Sequence, residues 1–118
     1  MSVEVDPAQL EVEPAQVAEW MAREPELLLV DVREPYEREA GHIAGSLHIA
    51  LAELPARAGE LGGERPVVFY CRVGARSAMA AQAFRASGLQ AHSLSGGLVR
   101  WAQEGRPLAP QGGQVADH

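Results

Sequence analysis

The chain reads as an α/β domain built around a parallel sheet with helices on both faces. Three observations predict this. Short apolar runs alternate about four times with stretches of helical spacing. The run Leu27 to Val32 is almost unbrokenly apolar up to Asp31, as in a strand covered on both sides. Glycine or proline separates most segments, among them Pro25, Gly62-Gly63, Gly88 and Gly96-Gly97. Parallel strands joined by right-handed crossovers carry their helices above and below the sheet.

The elements follow in order. Leu10 to Val12 makes a short first strand, and Pro14 suits the first turn of a helix, where its missing N–H costs nothing. Val17, Trp20 and Met21 share one face of that helix, which Glu24-Pro25 ends. Leu27 to Val32 is the second strand. Glu34-Pro35-Tyr36 opens about one helical turn that runs to Gly41, and Leu47 to Ala50 is a third strand. Leu51, Leu54, Ala58 and Leu61 suggest a short helix, weakened by Pro55 and stopped by Gly62-Gly63. Val67 to Tyr70 is the clearest strand, and Ser77 to Ser87 the clearest helix, with Ala78, Met79, Ala83 and Phe84 as its apolar positions and Gly88 as its stop. Gln90 to Leu94 gives a last strand. Gly96-Gly97 turns into a helix carrying Leu98 and Trp101, ended by Gly105. Trp20 and Trp101 are expected core anchors. From Pro107 onward the composition predicts a mobile tail, so the domain proper spans 10–106, between a short extension 1–9 and the tail 107–118.

At 118 residues the chain suffices for one core. A net charge of −6 argues against a nucleic-acid surface. No stretch approaches 18 consecutive apolar residues, so no membrane association is expected, and the acidic opening Met1 to Asp6 lacks the features of a secretory signal. Cys71 is the only cysteine, which forbids an internal disulfide and suits a reducing cytoplasm. His48, His92 and His118 show no metal-ligand spacing with one another or with Cys71, and no cofactor is expected. Nothing demands more than a monomer or a weak dimer.

The chemistry concentrates at Cys71. It stands where the strand Val67 to Tyr70 breaks into Arg72-Val73-Gly74-Ala75-Arg76-Ser77, directly before the alanine-rich helix. In parallel sheets ligands bind beyond the carboxyl ends of the strands. That rule places this loop and Asp31 to Glu34 on one rim. Gly74 can adopt positive φ, turning successive N–H groups inward as an anion-binding nest. The helix N-terminus and the permanent cations Arg72 and Arg76 add positive potential, which would hold an anionic sulfur species. A lone cysteine is by itself more often an inert buried residue. The strand–loop–helix setting with its glycine and two arginines tips the balance to a nucleophile. Ser77 reads as a helix cap.

These residues resemble a known family. Cys71-Arg72-Val73-Gly74-Ala75-Arg76-Ser77 is similar to the active-site loop of the rhodanese sulfurtransferases. Asp31-Val32-Arg33-Glu34-Pro35-Tyr36-Glu37 with Gly41-His42-Ile43-Ala44-Gly45-Ser46 resembles their N-terminal signature, and Leu94-Ser95-Gly96-Gly97 with Trp101, Gly105 and Pro107 their C-terminal one. The three matches fall in the family's order over residues 10 to 108. Ala44 and Ala50 stand where the family commonly has proline, away from the chemistry.

The resemblance implies a rhodanese-like fold with a five-stranded parallel sheet. It implies that Cys71 takes sulfane sulfur from a small anionic donor such as thiosulfate and passes it, through a persulfide, to an acceptor: cyanide, a low-molecular-weight thiol or a protein. On this basis the N–H groups from Arg72 through Val73, Gly74, Ala75 and Arg76 to Ser77 cradle the outer sulfur, and Arg72 and Arg76 attract the donor. Asp31 is expected to hydrogen-bond near the base of the loop, Arg33 to be an internal ion-pair partner, and His42 to fix its own loop. Two rivals remain. A phosphatase or arsenate reductase of related fold has five residues between cysteine and arginine, whereas Cys71 and Arg76 have four between them. A low-turnover sulfur carrier or sensor fits the same residues.

Overall fold

Glu11–Val12 (β1), Leu28–Asp31 (β2), Leu47–His48 (β3), Val67–Tyr70 (β4) and Ala91–Leu94 (β5) form one sheet in the computed structural model, which describes residues 5–117. All neighbours run parallel, in the order β1-β5-β4-β2-β3. Residues 1–4, which begin the expected extension and its acidic opening, and His118 lie outside the described residues. The helices are Pro14–Arg23 (α1), Pro35–Ala40 (α2), Leu54–Arg57 (α3), Ala75–Ala86 (α4) and Gly97–Gln103 (α5). This is the α/β architecture with five parallel strands that the sequence and its resemblance predict.

Strand alternation sorts the core into two layers. Val30, Val67, Phe69 and Ala91 face one side, where Leu54, Leu61, Ala80 and Ala81 cover them. Leu29, Val68, Tyr70 and Leu94 face the other, against Val17, Trp20, Leu98 and Trp101. Each such fully buried aliphatic or aromatic side chain contributes about 1.5–3 kcal/mol. Both tryptophans are buried, as expected. No helix among the described residues is long and apolar enough to cross a membrane.

Three expectations need correction. α4 begins at Ala75, two residues early, and buries Ser77, Ala80 and Ala81 rather than Met79 and Ala83. Met79 is 62% exposed. The small side chains let α4 lie close on the sheet, so the face with the least bulk packs inward. The segment from Leu51 to Leu61 is not one helix but a single α-turn between two 3₁₀ turns, Leu51–Glu53 and Ala58–Leu61, because Pro55 supplies no N–H for a longer ladder. Finally, residues 107–117 lie along the domain where composition predicts a mobile tail. His42 and Ala109 exchange backbone hydrogen bonds (2.9 and 2.7 Å), the Gln114 N–H donates to the Ala40 carbonyl (2.7 Å), and Leu108 and Val115 pack on the second core layer.

Candidate active site

Cys71 follows β4 directly. Continuing the strand's alternation, it falls on the Val67–Phe69 side, beneath α4, and is buried with 1% exposure. The chain reverses at Gly74, whose φ of +109° is accessible to glycine and strained for other residues. That reversal aims two amides back at the cysteine. The Gly74 N–H donates to Sγ at 3.1 Å and the Ser77 N–H at 3.4 Å. Ser77 is therefore inside the first turn of α4, not its cap, and its hydroxyl lies 3.5 Å from Sγ. Two N–H donors converging on one sulfur stabilise negative charge there.

The loop is braced from behind by α5. The Leu98 N–H donates to the Cys71 carbonyl (2.9 Å) and the Val99 N–H to the Arg72 carbonyl (3.0 Å). Contact this close needs glycine at position 97. A Cβ there would stand 2.7 Å from the Cys71 carbonyl oxygen and nearer still to that of Arg72, at a φ of +60°.

Both loop arginines have partners within the protein. Arg76 forms a forked pair with Glu37 of α2, at 2.8 and 3.0 Å. Burial by itself pushes the Glu37 carboxyl upward. The Arg76 hydrogen bonds, the Glu34 N–H and the charges of Arg76 and Arg33 prevail and hold it at about 2. Arg76 in turn is raised, chiefly by its bonds to Glu37. Arg72 donates through Nε to the Ala116 carbonyl (3.0 Å) and lies 3.5 Å from the Asp117 carboxylate. Arg76 thus has a buried carboxylate as its partner and Arg72 a backbone carbonyl beside an exposed one, pairings that sequence spacing had no means to reveal. Val73 and Ala75 are exposed on the loop.

Apart from Glu37, the polar residues of the N-terminal signature join one another in a largely buried network. Asp31 stands opposite Tyr70, the residue directly before Cys71, and among the described residues its carboxylate is held by arginines of its own signature. Its carboxylate accepts from Arg33 Nε and Nη2 (both 2.9 Å) and from Arg38 (3.4 Å). Arg33 is the internal ion-pair partner anticipated, and it also donates to the Gly41 carbonyl (2.7 Å). It is raised by Asp31 despite the opposing effect of burial, which is the largest single influence. His42 Nδ1 lies 3.2 Å from the Arg38 carbonyl oxygen, tying its own loop to α2. The network reaches β4 through Tyr70, whose hydroxyl accepts from the Ile43 N–H (3.1 Å) and pairs with Ser46 (2.9 Å). Burial, aided by the Asp31 charge, pushes that phenol up to about 12. β2 pairs with β4, with Asp31 opposite Tyr70, so the two loops share a rim as predicted.

Glu37, Ser93 and Gly97 were missed as site residues, although Glu37 and Gly97 lie inside the quoted motifs. No local signal reports a partner 39 residues away, as Arg76 is from Glu37.

The chain is similar to known proteins. The family model for the rhodanese-like domain matches residues 13–104. A protein of Allochromatium vinosum named sulfurtransferase is 36% identical over 104 residues, covering 86% of this chain and 97% of its own length. The Bacillus subtilis protein YqhL is 43% identical over 74 residues, 62% of this chain, and the match spans 59% of that protein. The crystal structure of a rhodanese-related protein from Thermoplasma volcanium superposes with a TM-score of 0.78 at 30% identity, covering 85% of this chain and 97% of that one. The family model's match over most of the chain, together with the relative 36% identical over nearly its whole length, shows that the chain belongs to the rhodanese-like domain family.

Proposed function

We propose that this chain is a sulfurtransferase that carries sulfane sulfur on Cys71 as a persulfide. The observation that carries the proposal is the convergence of the Gly74 and Ser77 N–H groups on Sγ. With thiosulfate as donor, the Cys71 thiolate attacks the outer sulfur. The S–S bond of thiosulfate breaks, and sulfite leaves with the bonding pair. The product is an Sγ–S⁻ anion, whose charge the loop amides and the α4 N-terminus stabilise. An acceptor such as cyanide then attacks the outer sulfur. The Sγ–S bond breaks, its electron pair returns to Cys71, and thiocyanate departs. The cycle consumes no external oxidant or reductant and needs no second cysteine. The name of the Allochromatium relative supports the class, and the four-residue spacing of Cys71 and Arg76 favours a single sulfur atom over a tetrahedral oxyanion.

Mass spectrometry of the protein after thiosulfate treatment tests this. The expected result is the gain of one sulfur atom, lost again on adding cyanide, with no gain in Cys71→Ser. Sulfur loading of that variant refutes the assignment.

A second reading draws on the arginines. Since Arg76 is paired with Glu37 and Arg72 with the 116–117 segment, attraction for a small dianion is offset, which favours a carrier that exchanges sulfur with a thiol or a protein. Steady-state turnover with thiosulfate and cyanide, set against single-turnover transfer from a small-molecule persulfide, separates the two. Slow turnover beside rapid persulfide exchange identifies the carrier.

A further inference from the structure

Behind Cys71 lies a buried pair of hydroxyls. Ser77 Oγ is 3.5 Å from Cys71 Sγ, 3.2 Å from the Gly74 carbonyl oxygen and 2.8 Å from Ser93 Oγ. Both serines have zero exposure. Ser93 reaches this place through the sheet. β5 lies beside β4 with Ser93 opposite Phe69, and its alternation turns Ser93 to the same side as Ala91, toward α4.

Each hydroxyl has one proton to donate. Among the described residues, Ser77 Oγ is the only hydrogen-bond partner of Ser93 Oγ. If Ser77 donated to Ser93, the Ser93 proton would be buried without an acceptor, an arrangement that proteins avoid. Both protons are used only when Ser93 donates to Ser77. The Ser77 proton then has two places to go: the Gly74 carbonyl oxygen or the cysteine sulfur. A neutral thiol is a weak acceptor, which leaves that proton on Gly74. An anionic sulfur is the stronger acceptor, which draws the proton to itself.

We propose that Ser93 is a positioning residue for Cys71: by donating to Ser77 it holds that hydroxyl beside the sulfur and strengthens it as a donor, so that the Ser77 proton turns onto the sulfur whenever that sulfur is negative. The proposal rests on the reading of Cys71 as the sulfur-carrying nucleophile. Ser93 does not touch the reacting atoms. It acts through Ser77, on the thiolate first and on the leaving thiolate when the persulfide is discharged. Nothing in the three motifs singles it out, because it stands two residues before Ser95-Gly96-Gly97 and reads as an ordinary strand residue.

Because Cys71 is the only thiol, its ultraviolet thiolate absorbance can be followed against pH with no donor or acceptor present. In Ser93→Ala the absorbance should rise at higher pH than in the wild type. On the rising part of the curve the ratio of thiolate to thiol should be lower, by no more than about fivefold, because Ser77 keeps its proton and loses only the bond that holds its oxygen in place and strengthens it as a donor. Ser93→Thr keeps the hydroxyl and should follow the wild type, provided its circular dichroism matches. In a Ser77→Ala background, adding Ser93→Ala should shift nothing further. With thiosulfate, Ser93→Ala should lower kcat and leave KM unchanged. A wild-type titration in Ser93→Ala, or an equal extra shift when Ser77 is already alanine, overturns the proposal. If the titration shifts as expected but no variant, nor the wild type, takes up sulfur, the positioning role stands and the sulfur-transfer reading falls.

Discussion

Glu37 and Arg76 meet across the rim from positions 39 residues apart, and the pair fixes where the Cys71 loop sits relative to α2. Its energetics have a definite pH signature. The Glu37 carboxyl is lowered from 4.5 to about 2 on folding. A group depressed in this way binds protons more readily when unfolded. Its stabilising effect is therefore complete above pH ~4.5 and fades as pH falls toward ~2, amounting to about 3 kcal/mol at neutrality. Chemical denaturation of the wild type across this window should show that loss. Glu37→Gln should be less stable by a similar amount at pH 7 and should lack most of the acid dependence. Equal slopes in the two proteins would count against this account. Arg76 itself carries a changed expectation. From spacing alone, Arg76→Ala should weaken thiosulfate use with little effect on folding. With the Glu37 carboxylate buried behind it, removing Arg76 takes away that charge's forked partner, and stability should fall by about 3 kcal/mol. A thermal melt unchanged from the wild type would return Arg76 to donor binding alone.

At the level of elements, the Cys71 loop is a product of its neighbours as much as of its own residues. β4 delivers Cys71, α4 supplies the Ser77 N–H, and α5 holds the Cys71 and Arg72 carbonyls from the far side. The seam between the loop and α5 tolerates no side chain at position 97. Gly97→Ala should cost about 2–4 kcal/mol, from strain at positive φ and overpacking together, and should impair sulfur uptake by displacing the loop. Measured stability and persulfide formation should fall together. A variant with full stability and normal uptake would mean that the seam is looser than these contacts imply. Most elements were legible because their signals are local. Val67 to Tyr70, the proline at the start of α1 and the glycine at the end of α4 each act within a few residues. The inward face of α4 was not legible. Hydrophobicity favours Met79, but the sheet accepts the smaller Ala80 and Ala81, and only the approach distance of helix and sheet decides between them.

For the molecule as a whole, the segment after Pro107 is the largest departure from expectation. Its composition is that of a tail, yet it crosses the N-terminal signature loop and reaches Arg72. Deleting residues 109–118 removes the two bonds between His42 and Ala109, the Gln114 bond to Ala40, and the packing of Val115. Stability should drop by about 2–4 kcal/mol. A tail that merely trails in solvent would give no change, so urea denaturation of the shortened chain decides the matter. The sequence by itself determined the sheet, the order of its elements and the position of the cysteine loop, because alternation, capping and glycine turns are written in neighbouring residues. Only the tertiary structure decided which charges face the sulfur, which are tied to carboxylates, and which hydroxyl stands behind Ser77. Those outcomes depend on side chains 16 and 39 residues apart being brought within hydrogen-bonding distance, and burial makes a partner obligatory for the buried hydroxyls and for Glu37 in a way no local pattern records.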